Sequence, residues 1–379
     1  TPLRVCSWAE GVFRAVSDTV HRVRRVISLC ASVLLLLTAS PLGGTRASAA
    51  VKRAAVIKCR TTNTTCWPTA FAFTPDGSSI FYVERFTGQI RLFDRSPKKD
   101  RVWARISGVA KSGEQGLLGL AVDPDWPNEP WVYLYYTQRQ PLENRIVRLR
   151  KRANGSVQKQ RLATIPAAGF HNGGPIHFGP DGMLYAVTGD AGSPSRSQDP
   201  NSPSGKVLRM TRTGDVPPGN PFSGSRAFSI GHRNSFGFTF DHKTGRLWET
   251  ENGPECNDEV NLVREGRNYG WGPASKCPNT NQSGTAPVAP RVTFNPAIVP
   301  TGAAFCDNCG LGAKTEDTLL IGVHADGGIR MLTLTANRQG VLSQNPIYQN
   351  ASGILAVEAA PDGKIYFSDE RGIYRLIQR

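Results

Sequence analysis

The sequence predicts an all-β chain closed into a six-bladed β-propeller, on three observations. The first is a phrase that recurs: an apolar residue, then Pro-Asp-Gly or a variant, then a run in which aliphatic and aromatic residues alternate. It reads FTPDGSSIFYVE (73–84), VDPDWPNEPWVYLYYT (122–137), FGPDGMLYAVTGD (178–190), FDHKTGRLWETENG (240–253) and APDGKIYFSDERG (360–372). The second is spacing: the copies recur at roughly fifty to sixty residues, and GAAF (302–305) with TLLIGVHADGG (318–328) fills the gap near 300 as a degenerate sixth copy. The third is that Pro and Gly interrupt nearly every candidate helix.

Each phrase reads as a β-hairpin. Pro and Asp start a tight turn, Gly supplies a positive φ, and the period-two run after it is a half-buried strand. Six such copies fit six four-stranded blades, and radial closure protects sheet edges that an open sandwich of this many strands would leave bare. No internal linker or second domain interrupts them. In such a ring, loops from several blades converge at the mouth of the central channel, so residues far apart in sequence share one site.

The composition agrees. A chain of 379 residues that is 39% hydrophobic and 20% charged, with 39 glycines, is loop-rich and globular, neither disordered nor membrane-embedded. Residues 1–49 read as upstream residues and an export signal: His21, Arg22, Arg24 and Arg25 precede the apolar run Val33 to Leu37, and Ala47-Ser48-Ala49 offers a small-residue cleavage site. The propeller then occupies 50–379, in a secreted or extracytoplasmic protein whose mature chain has no stable membrane span. The formal charge is +15 for the whole chain. No Lys/Arg run with interleaved aromatics accompanies it, which argues against nucleic acid and leaves acidic envelope polymers or an anionic ligand as partners.

Beyond residue 49 lie Cys59, Cys66, Cys256, Cys277, Cys306 and Cys309. An even number in an exported chain reads as disulfides, and nearest-neighbour pairing (59–66, 256–277, 306–309) is the expectation among the possible connectivities. A zinc reading of Cys306 and Cys309 lacks a second ligand pair.

Two stretches carry chemistry. In GFHNGGPIHFGPDGMLYAVTGDAG (169–192), His171 lies among glycines on a loop, where it can accept a hydroxyl proton if a carboxylate fixes its tautomer, and Asp190 is placed to do so. The bland alternative is an ordinary loop histidine and a turn aspartate. In 230–272, His232, Arg233 and Asn234 precede a strand and offer a cation and an amide to polarise a carbonyl. The ENGPECNDE loop (251–259) mixes turn residues with four carboxylates, as a hard-cation site does, or as a solvated acidic turn does.

At these stretches the chain resembles a known family. GEQGLLGLAVDPDW (113–126), HNGG with FGPDGMLYAVTGD after it, GKVLRM and GNPF (205–222), GHRN, ENGP, DE and NYGWG keep the order found in glucose/sorbosone dehydrogenases, which use pyrroloquinoline quinone (PQQ). The resemblance covers roughly 65–375 and implies a six-bladed propeller, in agreement with the repeat count. It implies oxidation of the anomeric hydroxyl of an aldose or related polyol, with His171 as general base, Asp190 orienting it, and Arg233 and Asn234 contacting the quinone. Gly253 and Pro254 match positions whose carbonyls ligate calcium, Asn252 and Asp258 support that loop, and Glu114 stands where a glutamine beside the sugar is common. No CxxCH haem site occurs, so electrons would leave to an external acceptor.

The pattern departs in the last two blades. Where a lysine is expected after the strand in LLIGVHADGG stand His324, Ala325 and Asp326, and where two arginines are expected before the final PDG phrase stand Gly353 and Leu355. The basic residues nearest at hand are Arg330 and Lys314. Each charge-assisted hydrogen bond lost from a trianion costs about 1.5–3 kcal/mol. Two other functions therefore stand beside the dehydrogenase: a non-redox propeller that binds calcium and carbohydrate, and a calcium-dependent hydrolase or lactonase, which would need side-chain ligands from the 251–259 loop. The identity of the sugar and the oligomeric state are not legible.

Overall fold

The structure, a computed structural model, describes residues 51–59, 66–349 and 352–379. The segment expected to be an export signal, residues 1–49, lies outside the described residues. The chain enters through β1 (Val51–Lys58) and then builds its blades in turn. Blade one is β2 (Phe71–Phe73), β3 (Ser79–Val83), β4 (Gln89–Arg95) and β5 (Lys98–Arg105). Blade two is β6 (Leu117–Val122), β7 (Val132–Gln138), β8 (Glu143–Lys151) and β9 (Val157–Pro166). Blade three is β10 (Ile176–Phe178), β11 (Leu184–Val187), β12 (Lys206–Met210) and β13 (Ala227–Ile230), with a short helix α1 (Pro194–Gln198) between β11 and β12.

Blade four is β14 (Ser235–Phe240), β15 (Leu247–Glu251), β16 (Asp258–Val263) and β17 (Val292–Phe294), and blade five is β18 (Pro300–Phe305), β19 (Leu319–Val323), β20 (Gly328–Leu334) and β21 (Val341–Gln349). Blade six, β22 (Ile354–Ala359), β23 (Ile365–Asp369) and β24 (Gly372–Gln378), takes its fourth strand from the other end of the chain: β1 pairs antiparallel with β24, Val51 opposite Gln378. This closure pairs the first and last described strands within one blade.

Every recurrent phrase forms the first two strands of a blade and the turn between them, including the degenerate copy, which becomes β18 and β19. The turns therefore lie on one end of the ring. The connections from second to third strand, and from one blade to the next, lie on the other end, and the candidate site residues fall in those connections or, for Asp258, at the first position of the strand that follows. The cores between blades are apolar. Phe81 of blade one, fully buried, meets Trp103 and Trp126 edge-on at 5.2 and 5.3 Å, and truncating such a ring typically costs about 3–5 kcal/mol.

Three disulfides join Cys59 to Cys66, Cys256 to Cys277 and Cys306 to Cys309, the nearest-neighbour pairing. The last pair leaves no thiolates for zinc. Among the described residues no helix is long and apolar enough to cross a membrane.

Candidate active site

The loop before β10 sets His171. Tyr135 of β7 donates its hydroxyl to the Asn172 carbonyl (2.7 Å), and Asn144 of β8 donates its amide to Asn172 Oδ1 (3.0 Å). The backbone at His171 takes a left-handed φ of 55°, uncommon outside glycine, and its N–H donates to Glu114 Oε2 at 2.7 Å. Its carbonyl lies flush on Gly189, where a Cβ would stand 2.0 Å away, so only glycine lets this loop rest on the end of blade three.

That packing brings the imidazole to its carboxylate. His171 Nδ1 lies 2.7 Å from Asp190 Oδ1, which also accepts the Gly192 N–H at 2.7 Å, while Asp190 Oδ2 accepts the indole N–H of Trp271 at 2.8 Å. Asp190 is wholly buried. Burial pushes its pKa up, but the bonds from His171, Trp271 and Gly192 outweigh this and hold the carboxyl below its ordinary range. An ionised Asp190 makes Nδ1 the protonated nitrogen of neutral His171 and leaves Nε2 as the basic one. The imidazole keeps 14% of its side-chain surface open, which gives that nitrogen access to a ligand.

From His171 a chain of hydrogen bonds runs round the mouth. Glu114 Oε2 also accepts the Asn234 amide at 3.1 Å, and Asn234 Oδ1 accepts the Gly173 N–H at 3.2 Å. The Asn234 carbonyl accepts the Asn252 N–H (3.0 Å), and the Asn252 amide reaches the Pro300 carbonyl (3.0 Å). Arg233 donates from Nη1 to the Asn252 carbonyl at 2.9 Å, and its guanidinium lies 5.2 Å from the centre of the Trp271 ring. Arg233 Nε is buried without a protein acceptor, a donor left over for a bound group.

The four carboxylates of the 251–259 loop do not converge on a cation. Glu251 accepts the Arg233 N–H at 2.5 Å and faces His232 at 3.1 Å. Asp258 accepts the N–H groups of Gly253, Ile298 and Val299 at 2.8, 2.6 and 2.7 Å, Glu259 takes the Asn261 and Asn281 amides, and Glu255 is exposed. The acidic side chains thus brace the loop, which removes the basis for a hydrolase built on them. Among the described residues, the Gly253 and Pro254 carbonyls accept no hydrogen bond, so carbonyl oxygens are what this loop has to offer a hard cation.

Beneath the loop, wholly buried His232 sits between Glu249 and Glu251, with Nδ1 3.0 and 3.1 Å from their oxygens, and stacks on Tyr269. Burial disfavours its charge, yet Glu249 and Glu251 prevail and raise it to about 10. Burial likewise raises Glu259, helped by Glu251, to about 8.

A quinone with three carboxylates needs cations. The expected places in blade six hold Gly353 and Leu355, and the space above Gly353 is filled: a Cβ there would stand 2.5 Å from the His324 ring. Burial, helped by the charge of Arg85, lowers His324, so that imidazole supplies no positive charge. Lys314 sits in the β18–β19 connection, at the far end of the ring from the mouth, and Arg330 is engaged with Asp326 and Gln344, so neither residue supplies the clamp. Arg85 does stand at the mouth, tied to the Gln115 and Gly113 carbonyls at 3.0 and 2.6 Å and near enough to Glu114 and His324 to act on both. The donor set fits an anionic quinone held by Arg85 and Arg233, rather than from blade six.

The expected site residues lie at one end of the ring, unlike Lys314, and His171, Asp190, Glu114, Asn234, Arg233, Asn252, Gly253 and Asp258 are joined by hydrogen bonds or adjacency. Pro254 comes after Gly253 without a side-chain contact of its own. Sequence reasoning passed over Trp271 and Arg85. Trp271 belongs to the NYGWG motif, but it arrives through a long connection that starts at the far end, and the motif does not say what its ring meets; Arg85 is one arginine among many.

The glucose/sorbosone dehydrogenase family model matches residues 66–378. Quinoprotein glucose dehydrogenase B of Acinetobacter calcoaceticus is 31% identical over 239 residues, covering 54% of this chain and 50% of that protein. The aldose sugar dehydrogenase YliI of Escherichia coli is 26% identical over 340 residues, covering 82% of this chain and 89% of that one. Among solved structures, the PQQ-bound aldose sugar dehydrogenase of Streptomyces coelicolor is 28% identical with a TM-score of 0.73, covering 88% of this chain and 99% of that one. With the six-bladed ring and the ordered mouth motifs, these matches place the chain in the glucose/sorbosone dehydrogenase family.

Proposed function

We propose that the chain oxidises the anomeric hydroxyl of an aldose, or of a related polyol, at the mouth of the propeller. The observation that carries this reading is the His171–Asp190 dyad, with one imidazole nitrogen fixed by a buried carboxylate and the other left for a ligand. His171 Nε2 takes the hydroxyl proton, and Asp190 stabilises the imidazolium that forms. Glu114 holds the His171 backbone in its left-handed turn and ties it to Asn234, so the base and the opposite wall move as one piece. PQQ, when bound, supplies the two-electron acceptor and calcium a Lewis acid upon it. Arg233 and Arg85 would hold the quinone, and the Gly253 and Pro254 carbonyls the metal. With no haem attachment site in the sequence, electrons pass on to an external acceptor. The three disulfides support export to an oxidising compartment.

A second reading, a calcium- and carbohydrate-binding propeller without redox chemistry, is favoured by one observation: the blade-six positions hold Gly353 and Leu355 instead of arginines. One experiment separates the two. Apo-protein is titrated with PQQ and calcium, following quinone absorbance on the protein and dye reduction with a panel of aldoses. Saturable binding with turnover, lost in His171→Ala, supports the dehydrogenase; sugar and calcium binding with no uptake of PQQ at high micromolar concentration supports the second reading.

A further inference from the structure

We infer that Trp271 is a positioning residue that couples the two walls of the mouth: its indole N–H fixes the second oxygen of Asp190 while its ring carries Arg233. This rests on the assignment of His171 as base. Trp271 belongs to the connection from β16 to β17, which begins at the far end of the ring. From Gly266 the chain climbs beside β13 as an extra strand, with Gly266 N–H to Phe228, Ile230 N–H to Arg267, Tyr269 N–H to Ile230 and Trp271 N–H to Gly231 carbonyls, all at 2.8–3.0 Å. The Trp271 carbonyl then accepts the Gln198 amide at 2.6 Å, so helix α1 holds the residue from its other side. The indole is 7% exposed and has no freedom to turn.

The chemistry is set by donor count. Asp190 Oδ1 has two donors, His171 and Gly192, and Oδ2 has the indole alone. Indole nitrogen only donates, so this contact favours the ionised carboxyl and opposes transfer of the histidine proton to it. Removing the N–H leaves a wholly buried carboxylate oxygen without a donor. The carboxylate becomes more basic, and His171 holds its proton to higher pH. The same ring lies beneath the Arg233 guanidinium at 5.2 Å, a cation–π contact that fixes the cation opposite the base. The other charged groups facing the dyad are Glu114, from the β5–β6 connection, and Arg233, from β13–β14. Trp271→Phe leaves Glu114 untouched and keeps a ring under Arg233.

The test is Trp271→Phe, which keeps a ring for Arg233 and the core but deletes the donor, with Trp271→Leu to remove the ring as well. In apo-protein, nitrogen NMR of the His171 ring gives its titration without any cofactor. The expected result for Trp271→Phe is a midpoint raised by about half to one pH unit. In loaded enzyme the acid limb of kcat/KM moves the same way with KM little changed, whereas Trp271→Leu also weakens PQQ binding, by roughly two- to tenfold. A third arm leaves Trp271 intact: its indole resonance moves in Asp190→Asn. An unshifted His171 midpoint in folded Trp271→Phe, or an unmoved indole resonance in Asp190→Asn, overturns the inference even if the enzyme is active. Loss of the dehydrogenase reading alone leaves the two NMR arms standing.

Discussion

Replacing Asp190 by Asn keeps the shape of the site and removes one charge. Three donors converge on the two carboxylate oxygens, and an amide can accept at only one of the two positions. If the amide nitrogen takes the Oδ2 place it faces the Trp271 N–H donor to donor, leaving buried donors unmade at a cost of about 1–3 kcal/mol in stability. If it takes the Oδ1 place it faces Gly192 N–H and His171 Nδ1, and the histidine must turn to the tautomer whose Nε2 carries the proton. That tautomer is no base. In the first arrangement the imidazolium loses its counter-charge, so both routes remove most of a contribution that a positioned general base supplies, typically 10²–10⁴-fold. The expected outcome is kcat/KM for dye-linked sugar oxidation down by about 10³-fold, close to 4 kcal/mol. The assay is run from pH 5 to 9, beside thermal denaturation to show that the variant is folded. Activity within tenfold of the parent, with the pH dependence unchanged, would refute the role assigned to the dyad.

The same geometry sets other outcomes. Gly353→Ala forces a Cβ to 2.5 Å from the His324 ring and lowers the melting temperature, with a cost of about 1–3 kcal/mol; a variant as stable as the parent would show that the imidazole is not wedged there. His232 holds its proton to about pH 10 in the folded chain and to about 6.5 when unfolded, so its stabilising contribution is complete below 6.5 and is lost as pH rises toward 10. His232→Gln should thus lag the parent most in melting temperature near pH 6, with the gap narrowing by pH 10; a constant gap contradicts the imidazolium. Glu114→Gln keeps an acceptor for the His171 N–H, so stability changes by under about 1 kcal/mol, read by denaturant titration, whereas Glu114→Ala leaves that buried N–H and the Asn234 amide unpartnered and costs about 1–3 kcal/mol.

The ring was legible because its signal is repeated and local. A Pro-Asp-Gly turn leading into alternating residues is the same physics each time, and six imperfect copies reinforce one another even where 302–328 departs from the pattern. The dyad was legible for a related reason: His171 and Asp190 lie nineteen residues apart, on loops flanking one hairpin, so a single blade nearly suffices to bring them together. Disulfide pairing also obeyed chain proximity.

The sequence by itself determined which reactive groups the chain can bring to a site, since an imidazole, a guanidinium and a carboxylate have their reactivity wherever they stand. It did not determine what those groups spend their bonds on. Glu251, Asp258 and Glu259 look like metal ligands in a row of letters, yet the closed ring turns them onto backbone N–H groups, amides and His232, which leaves the carbonyls to meet a cation. Trp271 and Arg85 reach the mouth only because blades one, three and four are brought round a common axis, and such long-range convergence has no periodicity to read. The ring positions the groups; their hydrogen bonds within it decide which oxygen or nitrogen remains free to act.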